Sequence, residues 1–238
     1  MILPEFPVAA SGFRVVSNPG GYDYLLSVPA AHTSARWPLI LFLHGSAFRG
    51  TDPMVVGTHG LPRLLQGGDD LSAAECAIGA EIAATFAVVA PQCRDYEVWD
   101  DAAVLALLED IGSELNVDAR RVYLTGLSMG GFGTWSVGLR HPERFAAIVP
   151  ICGGGRLADV VAETPARRAA LPRLGVWAFH GAKDTVVPLA ESERMIGALQ
   201  TAGARDVRLT IYPEAEHDAW SACYANPALY AWLLEHAR

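Results

Sequence analysis

The sequence Gly126-Leu127-Ser128-Met129-Gly130-Gly131 decides the fold. It follows a β-branched and apolar run at 122–125 and leads directly into Met129–Arg140, which has the pattern of a helix. A G-x-S-x-G at such a junction is typical of a sharp turn that exposes a serine hydroxyl at the carboxyl end of a sheet. The flanking glycines are expected because a Cβ would collide there with the neighbouring strand and helix. The motif makes Ser128 a candidate nucleophile, against the alternative of a glycine-rich packing turn.

Strand patterns surround this motif on both sides. Continuous apolar runs, which predict strands covered on both faces, lie at 39–43, 87–90, 122–125, 147–149 and 176–179. Val207–Tyr212 alternates more strongly and indicates a strand near an edge. Residues 12–17 and 22–28 alternate with period two around Asn-Pro-Gly-Gly at 18–21, which predicts an antiparallel hairpin.

Helical patterns separate most of these runs. They lie at Asp101–Glu114, Met129–Arg140, Ala190–Thr201 and 227–236. Alternating strands and helices predict a mostly parallel, eight-stranded, doubly wound α/β sheet in a single domain over 1–238. The longest connection, 46–81, is where a lid or pocket wall is expected, and no length remains for a large cap domain.

Composition narrows the class of protein. The chain has 238 residues, of which 51% are apolar and 18% charged, and its formal net charge is −8. This composition excludes disorder, collagen and a coiled coil as the main state. The acidic balance and the lack of a Lys/Arg cluster argue against nucleic acid as a partner. The apolar excess is consistent with a homo-oligomer or an apolar substrate cleft.

No targeting or metal signal is visible. The first residues, Met1-Ile2-Leu3-Pro4, lack the basic and apolar regions of a signal peptide, and no apolar run is long enough for a membrane span. Four cysteines lie far apart without a C-x-x-C, which suggests neither a zinc site nor a disulfide framework. The sequence thus predicts a cytoplasmic protein without a metal or cofactor, although a trimmed secreted form would look the same.

A serine nucleophile needs a base and an acid that orients the base. On this type of fold the acid follows a later strand and the histidine comes near the end of the chain. His217 lies in a turn after the last predicted strand, and Asp184 follows the strand at 176–179. We therefore predict Asp184 and His217 as partners of Ser128. The competing acids beside the histidine, Glu214, Glu216 and Asp218, are better explained as solvated loop charges.

Acyl transfer also needs N–H donors where negative charge develops. One is the backbone N–H after the nucleophile, at Met129, and the other comes from the loop after the first central strand. Ser46 is the first choice in that loop and Ala47 the next. His44 is expected to shape the loop by a structural hydrogen bond rather than to act as a second base.

Several aromatic and polar side chains are candidates for substrate contact. Phe48 and Trp220 are predicted to form an apolar wall, and Gln92 follows a strand at its carboxyl end. Core packing is an equal alternative for Trp220 and the better one for Trp99. Cys93 and Cys152 are expected to be inert packing thiols.

Six motifs together resemble a known group of proteins. They are Phe42-Leu43-His44-Gly45-Ser46, Ala90-Pro91-Gln92-Cys93, the segment 124–135 around Ser128, Pro150-Ile151-Cys152-Gly153-Gly154-Gly155, His180-Gly181-Ala182-Lys183-Asp184 and His217-Asp218-Ala219-Trp220. In this order, from about residue 39 to the end, they resemble the α/β-hydrolase superfamily. The resemblance is closer to small bacterial "predicted peptidase" or phospholipase/carboxylesterase-like serine esterases, which are relatives of dienelactone hydrolases and polyester depolymerases.

The resemblance implies a Ser128, Asp184 and His217 triad and hydrolysis of carboxylic esters. One departure from the family pattern concerns the loop after the first central strand, where relatives read His-Gly-Ser-Gly-Glu-Arg-Gly. This chain has Ala47 and Phe48 in place of the second glycine and the glutamate. The departure predicts a more apolar acyl pocket. A peptidase, lactonase, thioesterase or C–C hydrolase, and a catalytically silent ligand-binding scaffold, remain alternatives.

Overall fold

An eight-stranded sheet forms the centre of the part of the chain that the structure describes. The computed structural model describes residues 12–30, 36–161 and 163–238. The strands are β1 (Arg14–Val16), β2 (Tyr24–Ser27), β3 (Trp37–Leu43), β4 (Ala87–Pro91), β5 (Val117–Leu127), β6 (Ala147–Ile151), β7 (Gly175–Gly181) and β8 (Val207–Tyr212). The helices are α1 (Gly60–Gln66), α2 (Ala73–Thr85), α3 (Asp101–Glu114), α4 (Met129–Arg140), α5 (Pro165–Ala170), α6 (Ala190–Thr201), α7 (Trp220–Tyr224) and α8 (Pro227–Glu235).

The strand order is β1-β2-β4-β3-β5-β6-β7-β8. β1 pairs antiparallel with β2, and β2 pairs antiparallel with β4, whereas all other neighbours are parallel. The predicted N-terminal hairpin and the edge position of β8 are both confirmed. Because the central strands are parallel, their carboxyl ends meet at one edge of the sheet, where open α/β sheets build their sites.

The sheet separates two apolar cores. Leu39, Leu41 and Leu43 of β3 pack into one core, which α3, α4 and α6 cover. Ile40 and Phe42 point to the other face, where α1, α2 and α8 contribute their apolar side chains. The alternation along one strand explains why the central strands are continuous apolar runs, since both faces are buried.

The predicted helices α3, α4 and α6 have the observed bounds, and α8 ends one residue before the predicted end. The segment 46–81 contains α1 and the start of α2, two helices that the sequence reading missed. A signal for α2 was present, because Ser72 caps the helix and exchanges hydrogen bonds with Glu75 in a capping box. The helical period of this segment is weak, because it is rich in alanine and has few large apolar residues.

Two further expectations concern the environment of the chain. None of the described helices is both long and apolar enough to cross a lipid bilayer. The prediction about a leader rests on residues 1–11, which lie outside the described residues. Cys93, Cys152 and Cys223 are buried free thiols and Cys76 is an exposed one. The single-domain organisation stays a prediction.

Candidate active site

Ser128 occupies the turn between β5 and α4 in a backbone conformation that is rare for a residue with a side chain. Its φ is +54° and its ψ is −117°. The backbone N–H donates a 2.9 Å hydrogen bond to the carbonyl of Ile151, at the end of β6. A positive φ for a non-glycine residue persists only where the surrounding structure imposes it. Here the strand and the helix on either side fix the turn and present the Ser128 hydroxyl at the carboxyl edge of the sheet.

The glycines beside Ser128 permit a close approach of backbones, as the motif predicts. A Cβ on Gly126 would lie 2.5 Å from the carbonyl oxygen of Gly130 and 2.7 Å from that of Leu43. A Cβ on Gly130 would overlap the Leu43 carbonyl oxygen. Side chains at these two positions would therefore push α4 away from β3 and displace the turn.

Three side chains form a continuous hydrogen-bonded series. The Ser128 Oγ lies 2.9 Å from Nε2 of His217, and Nδ1 of His217 lies 2.7 Å from Oδ2 of Asp184. His217 follows β8 and Asp184 follows β7, so both reach the edge where β5 ends. Because a carboxylate accepts from Nδ1–H, Nε2 is left with a lone pair that accepts the Ser128 hydroxyl proton. The structure brings the three predicted residues together in this arrangement.

Asp184 is held in its ionised form and in one orientation. Its Oδ1 accepts 2.9 Å hydrogen bonds from the backbone N–H groups of Val186 and Val187. Burial raises the pKa of Asp184, but the hydrogen bonds from His217, Val187 and Val186 outweigh it, so the pKa lies below its ordinary value. The carboxylate is thus charged at neutral pH and directed at His217.

The two predicted N–H donors lie beside Ser128. Met129 is the first residue of α4, and Ser46 begins a short 3₁₀ turn after β3. The first N–H groups of a helix have no partner within it. Among the described residues, no acceptor binds the N–H of Met129 or of Ser46. Both residues line the same cleft as Ser128, and their N–H groups are available to donate to a bound carbonyl oxygen.

His44 shapes the loop that carries Ser46. Its Nε2 accepts a 2.9 Å hydrogen bond from the Cys93 N–H, which leaves Nδ1–H to donate to the Gly45 carbonyl at 2.7 Å. Burial lowers the pKa of His44 to about 4, so the ring is neutral at neutral pH. The indole N–H of Trp99 donates to the His44 carbonyl at 3.1 Å. His44 and Trp99 therefore fix this loop, in agreement with the structural role expected for His44.

Gln92 also holds the loop. Its side-chain amide donates a 3.1 Å hydrogen bond to the Phe48 carbonyl, and the residue is buried. It is not among the residues that line the cleft beside Ser128. Gln92, predicted as a substrate contact, thus binds the loop after β3, because β4 ends next to the 3₁₀ turn at 46–48.

An open cleft of about 480 Å³ lies next to Ser128. Besides Ser128, Ser46 and Met129 it is lined by Arg49, Val98, Trp99, Phe132, Gly133 and Ser136. Val98 is 65% exposed and Phe132 43% exposed, which gives the cleft an apolar rim. The sequence reading missed Arg49, Val98, Phe132 and Ser136. Helical spacing was an available signal for part of this set, since residues 129, 132, 133 and 136 share one face of α4.

Phe48 and Trp220 do not line this cleft. The Phe48 ring packs on His59, with 4.1 Å between ring centroids. The Trp220 ring makes an edge contact with His217, at 5.4 Å between centroids, and lines a separate cavity of about 410 Å³ with Asp218 and His59. Residues 58–75 form one wall of that cavity. The segment 46–81 is therefore a pocket wall, one of the two roles expected of it.

The described residues contain one group with the composition of a metal site. The ligand atoms of Cys152, Asp184 and His217 lie within 4.8 Å of one another. Cysteine binds metals as the thiolate, and burial raises the pKa of Cys152 to about 12. Asp184 and His217 already share a hydrogen bond. Asp184 and His217 are therefore better explained as members of the hydrogen-bonded series with Ser128 than as ligands of a metal ion.

Comparison with known proteins places the chain in a family. The family model described as phospholipase/carboxylesterase matches residues 102–225, just over half of the chain. A solved thermostable esterase is 29% identical, with a TM-score of 0.73, over 95% of this chain and 63% of its own length. A solved ferulic acid esterase, 18% identical, shares the fold with a TM-score of 0.66 over 89% of this chain and 90% of its own.

Among curated proteins, one from Salmonella typhimurium named "Putative carboxymethylenebutenolidase" is 31% identical over 52% of this chain and 47% of its own length. The chain thus spans about half of the length of this relative. The residues that match the family model include the strand-to-helix turn at Ser128, and the observed α/β sheet is the fold of the solved esterases. The chain belongs to the phospholipase/carboxylesterase family of α/β-hydrolases.

Proposed function

We propose that this protein is a serine hydrolase that cleaves carboxylic esters through an acyl-enzyme intermediate. The observation that carries the proposal is the series Ser128, His217 and Asp184, joined at 2.9 Å and 2.7 Å. A serine hydroxyl is a weak nucleophile unless a base takes its proton. His217 is in position to do so, and Asp184 holds the base in the tautomer that the reaction needs.

The reaction follows from this arrangement. His217 Nε2 takes the proton as Ser128 Oγ attacks the acyl carbon, and the negative charge develops on the former carbonyl oxygen. His217 then gives the proton to the leaving alcohol, and the acyl group stays on Ser128. Water attacks this acyl-enzyme in the second half, with the same histidine as base, and the carboxylic acid leaves. Asp184 remains ionised throughout and stabilises the imidazolium.

The N–H groups of Met129 and Ser46 bind the oxygen on which charge develops. Each such donor contributes roughly 10²–10³ in rate. The hydrogen bonds of His44 and Gln92 hold the loop of Ser46 before substrate arrives. The oxyanion site is therefore preorganised, which is the condition for a large electrostatic contribution.

The cleft beside Ser128 indicates where the acyl group binds. Val98, Trp99 and Phe132 give it apolar walls, and it opens to solvent. We infer a small-molecule ester with an apolar acyl group as the substrate. The similarity to a thermostable esterase and to a protein named "Putative carboxymethylenebutenolidase" supports ester or lactone bonds over amides. A substrate panel of butyryl ester, lactone, thioester and peptide separates these classes.

Covalent labelling tests the nucleophile directly. The native protein is incubated with a fluorophosphonate and digested, and the peptide that contains Ser128 is expected to carry the mass of one adduct. Ser128→Ala is expected to remain unlabelled and to lose about 10⁶-fold in kcat on p-nitrophenyl butyrate. Labelling of another residue, or turnover retained by Ser128→Ala, would contradict the proposal. A folded protein that neither labels nor hydrolyses any member of the panel would favour the silent scaffold.

A further inference from the structure

His180 is a buried histidine that the proposed reaction does not use. It lies near the end of β7, four residues before Asp184, and its side chain is fully buried. Buried polar side chains are found where they have hydrogen-bond partners. The partners of His180 belong to the loop that carries Asp184 and to α6, so the residue connects the candidate acid to the body of the fold.

The contacts of the ring define which nitrogen carries a proton. Nε2 lies 2.8 Å from the Val187 carbonyl oxygen and 3.3 Å from Oδ2 of Asp184. Both of these atoms are acceptors, so Nε2 must be protonated. Nδ1 lies 2.8 Å from the Ser192 Oγ. A serine hydroxyl can donate or accept, so this second contact is satisfied whether or not Nδ1 is protonated. Nε2–H is the donor in either state of the ring.

The Nε2 of His180 also lies 3.3 Å from the carboxylate oxygen that binds His217. Oδ1 of Asp184 is occupied by the N–H groups of Val186 and Val187, and Oδ2 faces His217 and His180. The N–H of Val187 binds Asp184 while its carbonyl binds His180. The loop 184–187 is thus held through both backbone polar groups of Val187, and the carboxylate cannot rotate without breaking several of these bonds.

We propose that His180 is a positioning residue that, through its Nε2–H, holds the Asp184 loop and turns Oδ2 toward His217. This inference rests on the proposed function, because it concerns Asp184 as the acid of the proposed reaction. A displacement of about 1 Å in a reacting group can reduce the rate by about 10²-fold. Loss of the donor should accordingly lower kcat and leave substrate binding in the cleft beside Ser128 unchanged.

Two amide substitutions distinguish the effect of the His180 N–H donor from the effect of side-chain volume. In His180→Gln the amide nitrogen is as many bonds from Cβ as Nε2, so it can donate to the Val187 carbonyl and lie beside Oδ2 of Asp184. In His180→Asn the amide is one bond shorter and cannot reach that carbonyl. We expect His180→Gln to keep kcat within about threefold and His180→Asn to lose about 10- to 100-fold, with KM within about twofold for both. His141→Asn, a change at the partly exposed end of α4, serves as the matched control and should leave both constants unchanged.

The pH profile provides a readout that a purely structural role would not move. Asp184 is faced by His180 from β7, by His217, by the Cys152 thiol and by the Val186 and Val187 amides. His217 is faced in addition by Ser128 and Trp220. Without the His180 donor, Oδ2 is no longer held toward His217 and stabilises the imidazolium less. The acid limb of kcat/KM in His180→Asn should therefore move to lower pH, while that of His180→Gln stays in place.

A measurement independent of activity completes the test. In ¹⁵N spectra of the native protein, the Nε2 of His180 should be protonated at neutral pH. Equal kcat values and acid limbs for His180→Gln and His180→Asn, or an unprotonated Nε2, would overturn the inference. These outcomes differ from failure of the proposed function, in which the native protein itself shows no labelling and no turnover. Matching Tm values for the two variants verify that neither effect comes from unfolding.

Discussion

The Nε2 of His44 accepts a 2.9 Å hydrogen bond from the backbone N–H of Cys93, and this contact joins the loop after β3 to the end of β4. The bond requires an unprotonated Nε2. The neighbouring Nδ1–H donates to Gly45, next to the Ser46 N–H that is proposed to bind the oxyanion. The protonation state of one buried ring is therefore linked to the geometry of the loop that carries this proposed donor.

This link predicts that the folded protein becomes less stable as the pH falls. Burial lowers the pKa of His44 from 6.5 to about 4 in the folded protein, so the unfolded chain binds the proton more readily. The contribution of His44 to the free energy of unfolding is fully present above the pKa of the unfolded chain. It is lost as the pH falls through the pKa of the folded protein, and the total loss is roughly 3 kcal/mol. Urea unfolding between pH 7 and pH 4 should show a decline in the free energy of unfolding over this window.

A variant isolates this contribution from that of the carboxylates. In His44→Gln the side-chain carbonyl can still accept from Cys93 but does not titrate. The variant should be less stable than the native protein at pH 7 and should lose less stability between pH 7 and pH 4. Equal pH slopes for the two proteins would show that His44 is not the group responsible.

Asp184→Asn is expected to lower kcat by about 10⁴-fold. The amide oxygen replaces Oδ1, which accepts from Val186 and Val187, so the NH₂ group must face His217. Nδ1 then becomes an acceptor and Nε2 carries the proton, which leaves no lone pair for the Ser128 hydroxyl. Steady-state kinetics on p-nitrophenyl butyrate measure the loss. Asp218→Asn is the matched control, because Asp218 is exposed and binds Ser221, and it should stay within about twofold.

Gly130→Ala should destabilise the protein by about 3 kcal/mol, because its Cβ would overlap the Leu43 carbonyl oxygen and backbone cannot easily move away. The same change at Gly197, within α6, meets nothing within 4 Å and should stabilise by about 0.5–1 kcal/mol, since alanine favours a helix. Urea denaturation of the two variants checks the contrast. A neutral effect at Gly130 would mean that the turn at Ser128 adjusts freely.

Acyl chain length should affect catalysis through the apolar cleft. Each methylene that leaves water contributes about 0.8 kcal/mol, and because the cleft is open we expect kcat/KM to rise about two- to fourfold per methylene from acetyl to hexanoyl esters. Phe132→Ser removes part of the rim and should reduce this gain. Leu157→Ser, at a half-exposed side chain that does not line the cleft, should leave it unchanged. A flat series in the native protein would place the acyl group elsewhere.

Much of the fold was predictable because its signals are local. The bounds of α3, α4 and α6 follow from helical periodicity and end signals, and the parallel strands appear as continuous apolar runs because both faces are covered. The missed helices have weaker signals, since α1, α5 and α7 are short and α2 is rich in alanine. Periodicity needs large apolar residues at regular spacing, which these segments lack.

In the candidate site, too, some residues have a clear signal in the sequence and others have none. Ser128 and its glycines could be identified because a strained turn constrains residue type at each position. Asp184 and His217 could be selected as candidate partners by chain order, since the strands that precede them end at the same edge. The substrate contacts stay predictions, and in the structure Gln92 binds the Phe48 carbonyl while Trp220 contacts His217.

The sequence by itself determined the fold class, the turn at Ser128 and the order of its partners, because these depend on periodicity and on local backbone geometry. Only the tertiary structure decided how the contacts are made. Ser128 and His217 meet across 89 residues, and His44, Gln92 and Trp99 support one loop from different parts of the chain. Such contacts depend on strand order and on the conformation of several loops at once, which no local pattern encodes.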